Sequence, residues 1–221
     1  IEAFGAGEGP YDVVTARADY GRLDQSGAPV RIRLRSPVMR VRHLGDAATA
    51  TKVEVAWLNG DTLRSATGRA VILACWHQTI PWICPELPAA QREAMASATK
   101  VPLVYTNVML RDWTAFQKLG VSNINAPGLW HGNVSLDFPV SVGSYHHPKK
   151  PTEPIVVHMS KALCKPGLPI RQQHAAGRTE LFRTPFQVIE RHIRSDLHRL
   201  LGAGGFDPAR DIVGLTVNRW P

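Results

Sequence analysis

The sequence lacks any hydrophobic run long enough to cross a membrane, since no stretch of roughly 18 apolar residues occurs among its 221 residues. Residues 1–10 have neither a basic start nor a long apolar stretch, which excludes a secretory signal peptide at that position. Hydrophobic residues nevertheless make up 44% of the chain and charged residues 20%. The chain can therefore bury a sizeable core, and its composition excludes disorder as a whole.

Several motifs of nucleotide-binding proteins and hydrolases are also missing. No GxGxxG follows a predicted strand, and no P-loop, GxSxG or HExxH occurs. Gly202, Gly204 and Gly205 follow a predicted helix instead of opening one, so we interpret them as a helix end. The chain therefore carries no cradle for a dinucleotide pyrophosphate, and no spacing of Ser, His and Asp predicts a catalytic triad.

Cysteine is scarce, and the three cysteines form neither a CxxC pair nor a zinc-binding spacing. We interpret all three, Cys75, Cys84 and Cys164, as buried structural residues, and they leave the redox compartment undetermined. The adjacent pair His146 and His147 would point to opposite faces of a strand, so the two are not expected to share a metal ion.

The formal net charge of +8 favours polyanionic partners, such as nucleic acid or an anionic surface. However, Arg31, Arg33 and Arg35 alternate with apolar residues. That alternation predicts the solvated face of a strand and not a basic helix in a groove. A basic binding module stays an alternative interpretation of the sequence.

The first half of the chain has the pattern of a β-structure. Residues 30–34 and 39–43 alternate as two strands, with a break at Ser36 and Pro37 because proline cannot donate to a ladder. Residues 53–57 and 62–67 flank Asn59 and Gly60, which predicts a tight hairpin. Residues 71–75 are continuously apolar, which predicts a central strand buried on both faces.

The second half mixes helices and strands. Residues 101–110, 155–159 and 213–220 are predicted strands, and residues 127–148 are predicted strands joined by irregular loops. Residues 89–98 predict a helix after Pro88. The longest predicted helix is capped by Thr184, begins with Pro185 and ends at Gly202. One apolar stripe follows this helix, made by Phe186, Ile189, Ile193, Leu197 and Leu200. His192 and His198 lie off the stripe and are interpreted as solvated. The fold class is therefore mixed α/β.

Longer segments resemble one family of enzymes. Residues 30–41, with Ser36-Pro37 between two strands, are similar to a strand pair of the flavin amine oxidoreductases, in which a VIxA strand follows like residues 71–74 here. The segments VPLVYTNV, SLDFPVS, HMSKALCKPGLP, GGFDPARDI and TVNRWP resemble the bacterial spermidine dehydrogenases of that superfamily. The loop-like start and the strand-like end, together with this resemblance, predict a central piece of a larger enzyme.

The resemblance implies an FAD-linked amine oxidase fold. Residues 1–78 would belong to the flavin domain and residues 79–212 to a substrate domain, in which a mixed β-sheet is flanked by helices. Residues 213–221 would form a strand returning towards the flavin. The implied reaction oxidises a C–N bond of a polyamine such as spermidine, with hydride passing to FAD and the imine being hydrolysed. The implied source is bacterial, periplasmic or cytoplasmic.

The resemblance also implies cofactor-binding positions. The backbone of Val38 would pair with the flavin adenine, and Cys75 and Trp76 would lie where the VIxA strand ends near the cofactor. Trp220 matches an aromatic residue that approaches the flavin ring, and Lys161 is the candidate for a lysine that holds a water near the flavin N5. Related enzymes also imply a possible heme, although no CxxCH motif is present.

A polyamine is cationic, so its pocket should offer a carboxylate or aromatic faces. Asp137 is the preferred carboxylate, and Trp130 and Tyr145 are the candidate aromatic walls. The expected partners are a small-molecule amine and the rest of the same enzyme, without nucleic acid, and the sequence assigns no oligomeric state. Two alternatives stay open: the basic binding module, and a non-catalytic piece of a flavoprotein that persists as a scaffold.

Overall fold

The computed structural model describes residues 5–6, 17–143 and 145–221. The chain separates into two compact units, of which the first holds the described residues up to Thr99 and the second begins at Lys100. The domain bounds implied by the family resemblance stay a prediction. Within the described ranges, the helices are too short or too polar to span a bilayer.

The first unit is built on a three-stranded antiparallel sheet in the order β3 (Val38–His43), β4 (Val53–Asn59) and β5 (Thr62–Gly68). Gly60 and Asp61 join β4 to β5, and Gly60 takes a φ of +58°. The predicted hairpin is confirmed, but its turn lies one residue later than predicted, because Asn59 still belongs to β4 and pairs with Thr62. Glycine at the first turn position supplies the positive φ that this turn needs. The elements of this unit are β1 (Gly5–Ala6), β2 (Arg17–Ala18), β3 (Val38–His43), β4 (Val53–Asn59), β5 (Thr62–Gly68), α1 (Ile80–Ile83) and α2 (Ala89–Ser97).

The strand predicted at residues 30–34 is wrong, although its solvation is as expected. Arg31 and Arg33 both form ion pairs with Asp24, at 2.6 and 3.0 Å. The pairs hold this segment against the preceding loop, and Arg35 then takes a left-handed φ of 52°, which interrupts extended backbone. The alternation of apolar residues and arginines at residues 30–35 therefore indicates that the arginines are solvated, but it does not indicate a paired strand.

The central strand predicted at residues 71–75 is also wrong. No strand is assigned to these residues, and Ile72 is 92% exposed. A strand buried on both faces needs neighbouring strands and covering layers, and the described residues supply neither at this position. The prediction of buried cysteines fails as well, since Cys75 and Cys164 are exposed and Cys84 is half-buried.

The second unit is a five-stranded antiparallel sheet with helices between its strands along the chain. The strand order is β10 (Ile212–Trp220), β6 (Leu103–Leu110), β9 (Ile155–Ala162), β8 (Asn133–Leu136) and β7 (Asn123–Asn125). The strands predicted at residues 101–110 and 155–159 are confirmed. The second of them extends to residue 162, because buried and partly buried side chains continue to alternate through its polar residues. The elements are β6 (Leu103–Leu110), α3 (Thr114–Leu119), β7 (Asn123–Asn125), β8 (Asn133–Leu136), β9 (Ile155–Ala162), α4 (Ile170–Arg183), α5 (Phe186–Leu201), α6 (Pro208–Asp211) and β10 (Ile212–Trp220).

Helix α5 ends before Gly202 as predicted and buries Ile189, Ile193 and Leu197 of the predicted stripe. The stripe is wrong at its two ends, because Phe186 is 42% exposed and Leu201 is buried in place of Leu200. Its predicted cap is wrong, because the Thr184 hydroxyl donates to the Glu180 carbonyl at 2.7 Å and closes helix α4 instead. Pro185 occupies the position before α5. Helix α4 was not predicted, since its sequence is mostly polar and has no strong apolar period.

The core of the second unit lies between the sheet and α5. Ile189, Ile193, Leu197 and Leu201 of α5 are fully buried in one cluster with alternate residues of the two central strands, which are Val104, Val108, Leu110, Val157 and Met159. Full burial of a Leu or Ile side chain contributes about 1.5–3 kcal/mol. This packing covers one face of the sheet, whereas the described side chains of the other face are partly or fully exposed.

Helix α4 approaches the end of β9 closely at Gly177. A Cβ atom at Gly177 would overlap the backbone carbonyl of Leu163 and lie 3.0 Å from the Pro102 side chain. Gly177→Ala should therefore destabilise the chain by about 1–3 kcal/mol, although alanine favours a helix by about 1 kcal/mol. The measurement is chemical denaturation. Gly128→Ala is the control, because nothing lies within 4 Å of that site, and an equal or stabilising effect at Gly177 would contradict the close contact.

Candidate functional site

The two faces of the five-stranded sheet differ in character. The covered face, which meets α5, carries Val104, Thr106 and Val108 of β6. The open face carries the residues that alternate with them, of which Tyr105 is 36% and Met109 50% exposed. Residues opposite each other on neighbouring strands share a face, so the pairing register assigns the side of each predicted site residue.

A chain of hydrogen-bonded side chains crosses the open face. Asn107 of β6 donates to the Thr216 hydroxyl of β10 at 3.4 Å and faces Nδ1 of His158 on β9 at 2.7 Å. On the other side of the ring, His158 Nε2 lies 2.9 Å from Oδ1 of Asp137. The Tyr145 hydroxyl donates to Oδ2 of the same carboxylate at 3.4 Å. Asp137 and Tyr145, predicted separately, are therefore brought together.

His158 lies between two acceptors. The amide NH₂ of Asn107 donates to Thr216, so its oxygen is the atom that faces Nδ1. A neutral imidazole has one N–H and can donate to only one of the two oxygens, whereas an imidazolium donates to both. The ring of Tyr105 stacks on His158 with centroids 5.6 Å apart. These contacts hold the His158 ring between Asn107 and Asp137.

The two carboxylate oxygens of Asp137 differ in their hydrogen bonds. Its Oδ1 accepts from His158 and from the backbone N–H of Phe138, both at 2.9 Å. Its Oδ2 has the longer contact with Tyr145. Burial and the negative charge of Asp137 raise the pKa of Tyr145 above its ordinary value of 10.0. The weakly bonded oxygen is the part of this carboxylate that a ligand can use.

A cleft of about 460 Å³ adjoins Asp137. Its walls are largely apolar and aromatic, and its volume is in the range of small-molecule sites. Aromatic and apolar walls beside one carboxylate suit an organic cation. The residues that line this cleft include Asp137, Trp113, Leu136, Phe138 and His147.

Trp130 and Lys161 lie on the covered side of the sheet, away from this carboxylate. Trp130 packs on the core and stacks on His192 at 5.0 Å, so His192 is half-buried and not simply solvated as expected. Lys161 pairs in register with the buried Val104, and its charge acts on the neighbouring His131. The sheet thus separates these two residues from Asp137 and Tyr145.

A buried His–Asp pair connects α5 to the segment before β8. Oδ2 of Asp196 accepts from Nδ1 of His131 at 2.9 Å and from its backbone N–H at 3.0 Å. Burial lowers the pKa of His131 below its ordinary value of 6.5, and the nearby carboxylate offsets part of that effect. This pair fixes α5 on the sheet from inside and has no exposed atom of the ring for chemistry.

Trp220 is 64% exposed on the open face, where it pairs with Leu103. Asp137 lies beside Val156, which pairs with Met109. Leu103 and Met109 are six residues apart on β6, so Trp220 and Asp137 lie about 20 Å apart along the strand direction. In the first unit, Val38 lies on the edge strand β3, and Trp76 and Cys75 are exposed. The roles predicted for these residues stay predictions.

His158 and Asn107 were not predicted as site residues. The sequence contains a signal that could have identified them. Both are polar residues in strands whose alternate residues are apolar and buried, so they must lie on the opposite face of the sheet. Their spacing of 51 residues hid the contact, which depends on strand pairing. In the part of the chain that the structure describes, no three metal-binding side chains cluster.

The Tyr145–Asp137 contact predicts a high-pH transition. Because the folded chain raises the Tyr145 pKa, the associated stabilisation is present below pH 10.0 and is lost as the pH rises through the raised value. Tyr145 should therefore ionise later than an unfolded tyrosine, measured as the phenolate absorbance difference between wild type and Tyr145→Phe. Asp137→Asn should lower that midpoint, and an unchanged midpoint would contradict the contact.

Comparison with known proteins gives a likeness of structure and none of sequence. No family model matches the chain, and no curated protein matches it. Putrescine oxidase bound to putrescine superposes with a TM-score of 0.52 at 14% identity, over 84% of this chain and 34% of that chain. A triple mutant of putrescine oxidase made to redesign cofactor binding gives 0.55 at 14%, over 84% and 34%.

Cyclohexylamine oxidase from Brevibacterium oxydans IH-35A superposes with a TM-score of 0.51 at 17% identity, over 83% of this chain and 34% of that chain. The chain therefore spans about a third of the length of the solved structures it matches. Identities this low establish the fold alone. The chain has the mixed α/β fold of part of an amine oxidase, as its sequence resemblance predicted.

Proposed function

We propose that this chain is part of an FAD-dependent amine oxidoreductase that oxidises a C–N bond of a polyamine such as spermidine. The fold of an amine oxidase and the resemblance of five sequence segments to spermidine dehydrogenases support this proposal together. The rest of the same enzyme would be the partner of this chain.

The observation that carries the proposal is the position of Asp137. It lies on the open face of the sheet, at an apolar and aromatic cleft, with one carboxylate oxygen weakly bonded. An ammonium group forms strong charge-assisted hydrogen bonds to a carboxylate, and Phe138 and Trp113 offer aromatic faces to a methylene chain. These are the groups that a cationic, flexible amine requires.

The residues present fit one part of FAD. Val38 lies on the edge strand β3, and an edge strand offers unpaired backbone groups to a ligand, so its backbone would hold the adenine. The pyrophosphate would need a glycine-rich cradle, which these 221 residues lack. When bound, FAD supplies the hydride acceptor, and this chain supplies the amine site. Trp220 would face the flavin ring from the open face.

Two of the nine histidines can be tested as axial ligands of a heme. An axial ligand must present an imidazole nitrogen to a cofactor-sized opening. The unpartnered Nε2 of His131 is fully enclosed, and the nitrogens of His158 already face Asn107 and Asp137. These histidines therefore do not fit the role.

The basic binding module is less well supported, because many arginines are paired. Four carboxylates each form ion pairs with one or two arginines, and these are Asp24, Glu54, Glu190 and Asp211. Pairing of this kind reduces the field available to a polyanion. Steeply salt-dependent binding of DNA or RNA would nevertheless support that module.

The scaffold alternative is tested by mass spectrometry of the polypeptide that the cell makes.

The proposal predicts that the 221-residue chain binds spermidine at Asp137. Asp137→Asn should weaken binding by roughly 10- to 100-fold, because a hydrogen bond to a charged group is worth about 1.5–3 kcal/mol. The measurement is isothermal titration calorimetry with spermidine, putrescine and a neutral diol of similar length, for which no such dependence is expected.

Asp61→Asn is the matched control for this experiment, since Asp61 is an exposed carboxylate in the β4–β5 turn. It should bind spermidine like the wild type. Equal affinity of Asp137→Asn and Asp61→Asn would contradict the proposed amine site. Equal affinity for spermidine and the diol would contradict an amine substrate.

A further inference from the structure

A cavity in the first unit is lined by three arginines that have no part in the proposed amine oxidation. Its volume is about 480 Å³, and its wall includes Arg31, Arg33, Arg64, Asp24 and Trp57. That volume is in the range of small-molecule sites. Because three arginines and one carboxylate are the charged groups of the wall, the cavity has two net positive charges and favours an anionic ligand.

Asp24 holds two of these arginines through the inner nitrogen of each side chain. Nε of Arg31 lies 2.6 Å from Oδ1 of Asp24, and Nε of Arg33 lies 3.0 Å from Oδ2. One terminal nitrogen of Arg31 also donates to the Asp24 carbonyl at 3.3 Å. Among the described residues, both terminal nitrogens of Arg33 and the other one of Arg31 have no acceptor. The two guanidinium groups are therefore held in place and still have donors for an anion.

Trp57 restricts the Arg33 side chain further. The guanidinium carbon of Arg33 lies over the indole ring, 4.7 Å from its centroid, and Trp57 itself is buried. A side chain that is already held in place loses less conformational entropy when a ligand binds. The terminal N–H groups of an arginine form a fork that matches two oxygens of a phosphate or a carboxylate. Arg33 is thus prepared to bind an oxyanion.

Arg64 adds a third positive charge from strand β5. It pairs in register with Trp57 of β4, so the two side chains share one face of the sheet. Across the described ranges, the Arg64 side chain forms no ion pair and no hydrogen bond. Asp24 therefore offsets one of the three positive charges, and an anion with two negative charges would balance the other two.

We propose that this cavity binds a small phosphate monoester whose organic part is flat or apolar. Such a phosphate carries a charge of about −1.5 to −2 at pH 7 and three strong acceptor oxygens. These match the net charge of the wall and the open donors of its arginines. Beside the arginines, the cavity is lined by the exposed ring of Tyr20 and by Ile32 and Leu34. These side chains offer an aromatic face and an apolar surface to the rest of the ligand.

A phosphate diester matches this cavity less well than a monoester. The diester has a single negative charge and two free oxygens, and each phosphate of a nucleic-acid backbone is of this kind. The ion pairs of Arg31 and Arg33 with Asp24 weaken the field that a long polyanion would meet, yet the same pairs fix the donors for one small ligand. The site lies within the first unit and does not depend on the proposed function.

Isothermal titration calorimetry of the full 221-residue chain with phenyl phosphate tests this site, at about pH 7.5, where the monoester is a dianion. The wild type should bind one phenyl phosphate. It should bind methyl phenyl phosphate, which is the diester, and phenol about tenfold more weakly or not at all. Arg64→Gln leaves the ion pairs of Asp24 intact and should weaken binding about 10- to 100-fold, because it removes a hydrogen bond to a charged group. Arg33→Gln should weaken binding at least as much.

Arg69→Gln is the matched control, because Arg69 is an exposed arginine of the same unit that does not line the cavity. It removes the same charge and should bind phenyl phosphate like the wild type. Circular dichroism shows whether Arg33→Gln keeps its fold, and Arg64→Gln tests the site if it does not.

Several results would overturn the phosphate site. One is the absence of phenyl phosphate binding to the wild type, and another is equal affinity for the monoester and its diester. Equal weakening by Arg64→Gln and Arg69→Gln would show an effect of net charge and not of the cavity. Displacement of phenyl phosphate by FAD at a lower concentration than by unlabelled monoester would assign these arginines to the cofactor instead.

Discussion

The packing of α5 on the central strands is the constraint on which the second unit depends. Ile189, Ile193 and Leu197 are fully buried against β6 and β9. Because strand residues alternate between faces, burying one set of side chains fixes the other set on the opposite side. The open face is therefore a direct consequence of the covered face, and the polar residues on it can form a site without entering the core.

The buried pair of His131 and Asp196 reinforces this arrangement. Its contact ties α5 to the segment that leads into β8, and β8 in turn ends immediately before Asp137. Removing one partner of such a buried pair leaves an uncompensated polar group and costs far more than breaking a surface pair. The position of Asp137 at the edge of the open face thus depends on a contact made on the covered side.

The sequence predicts this fold where the interactions are local or periodic. The β4–β5 hairpin depends on a local turn at Gly60, and the buried stripe of α5 depends on one helical period, so the existence of both was predictable. Residues 71–75 failed because burial of a strand is decided by neighbours that the segment itself does not encode. Asp137 was predicted from its chemistry, whereas His158 was missed because its role arises only when β9 pairs with β6.

The net charge of +8 is compatible with the proposed cationic substrate because the two act over different distances. Salt at physiological strength screens exposed charges beyond about 8 Å, so the arginines of the surface mainly slow the approach of an amine. At the site, the proposed contact with Asp137 acts at hydrogen-bond distance, well inside that screening length. A carboxylate of this chain can also hold two cationic groups at once, as Asp24 does with Arg31 and Arg33. The basic exterior therefore opposes the approach of an amine and not its contact with Asp137.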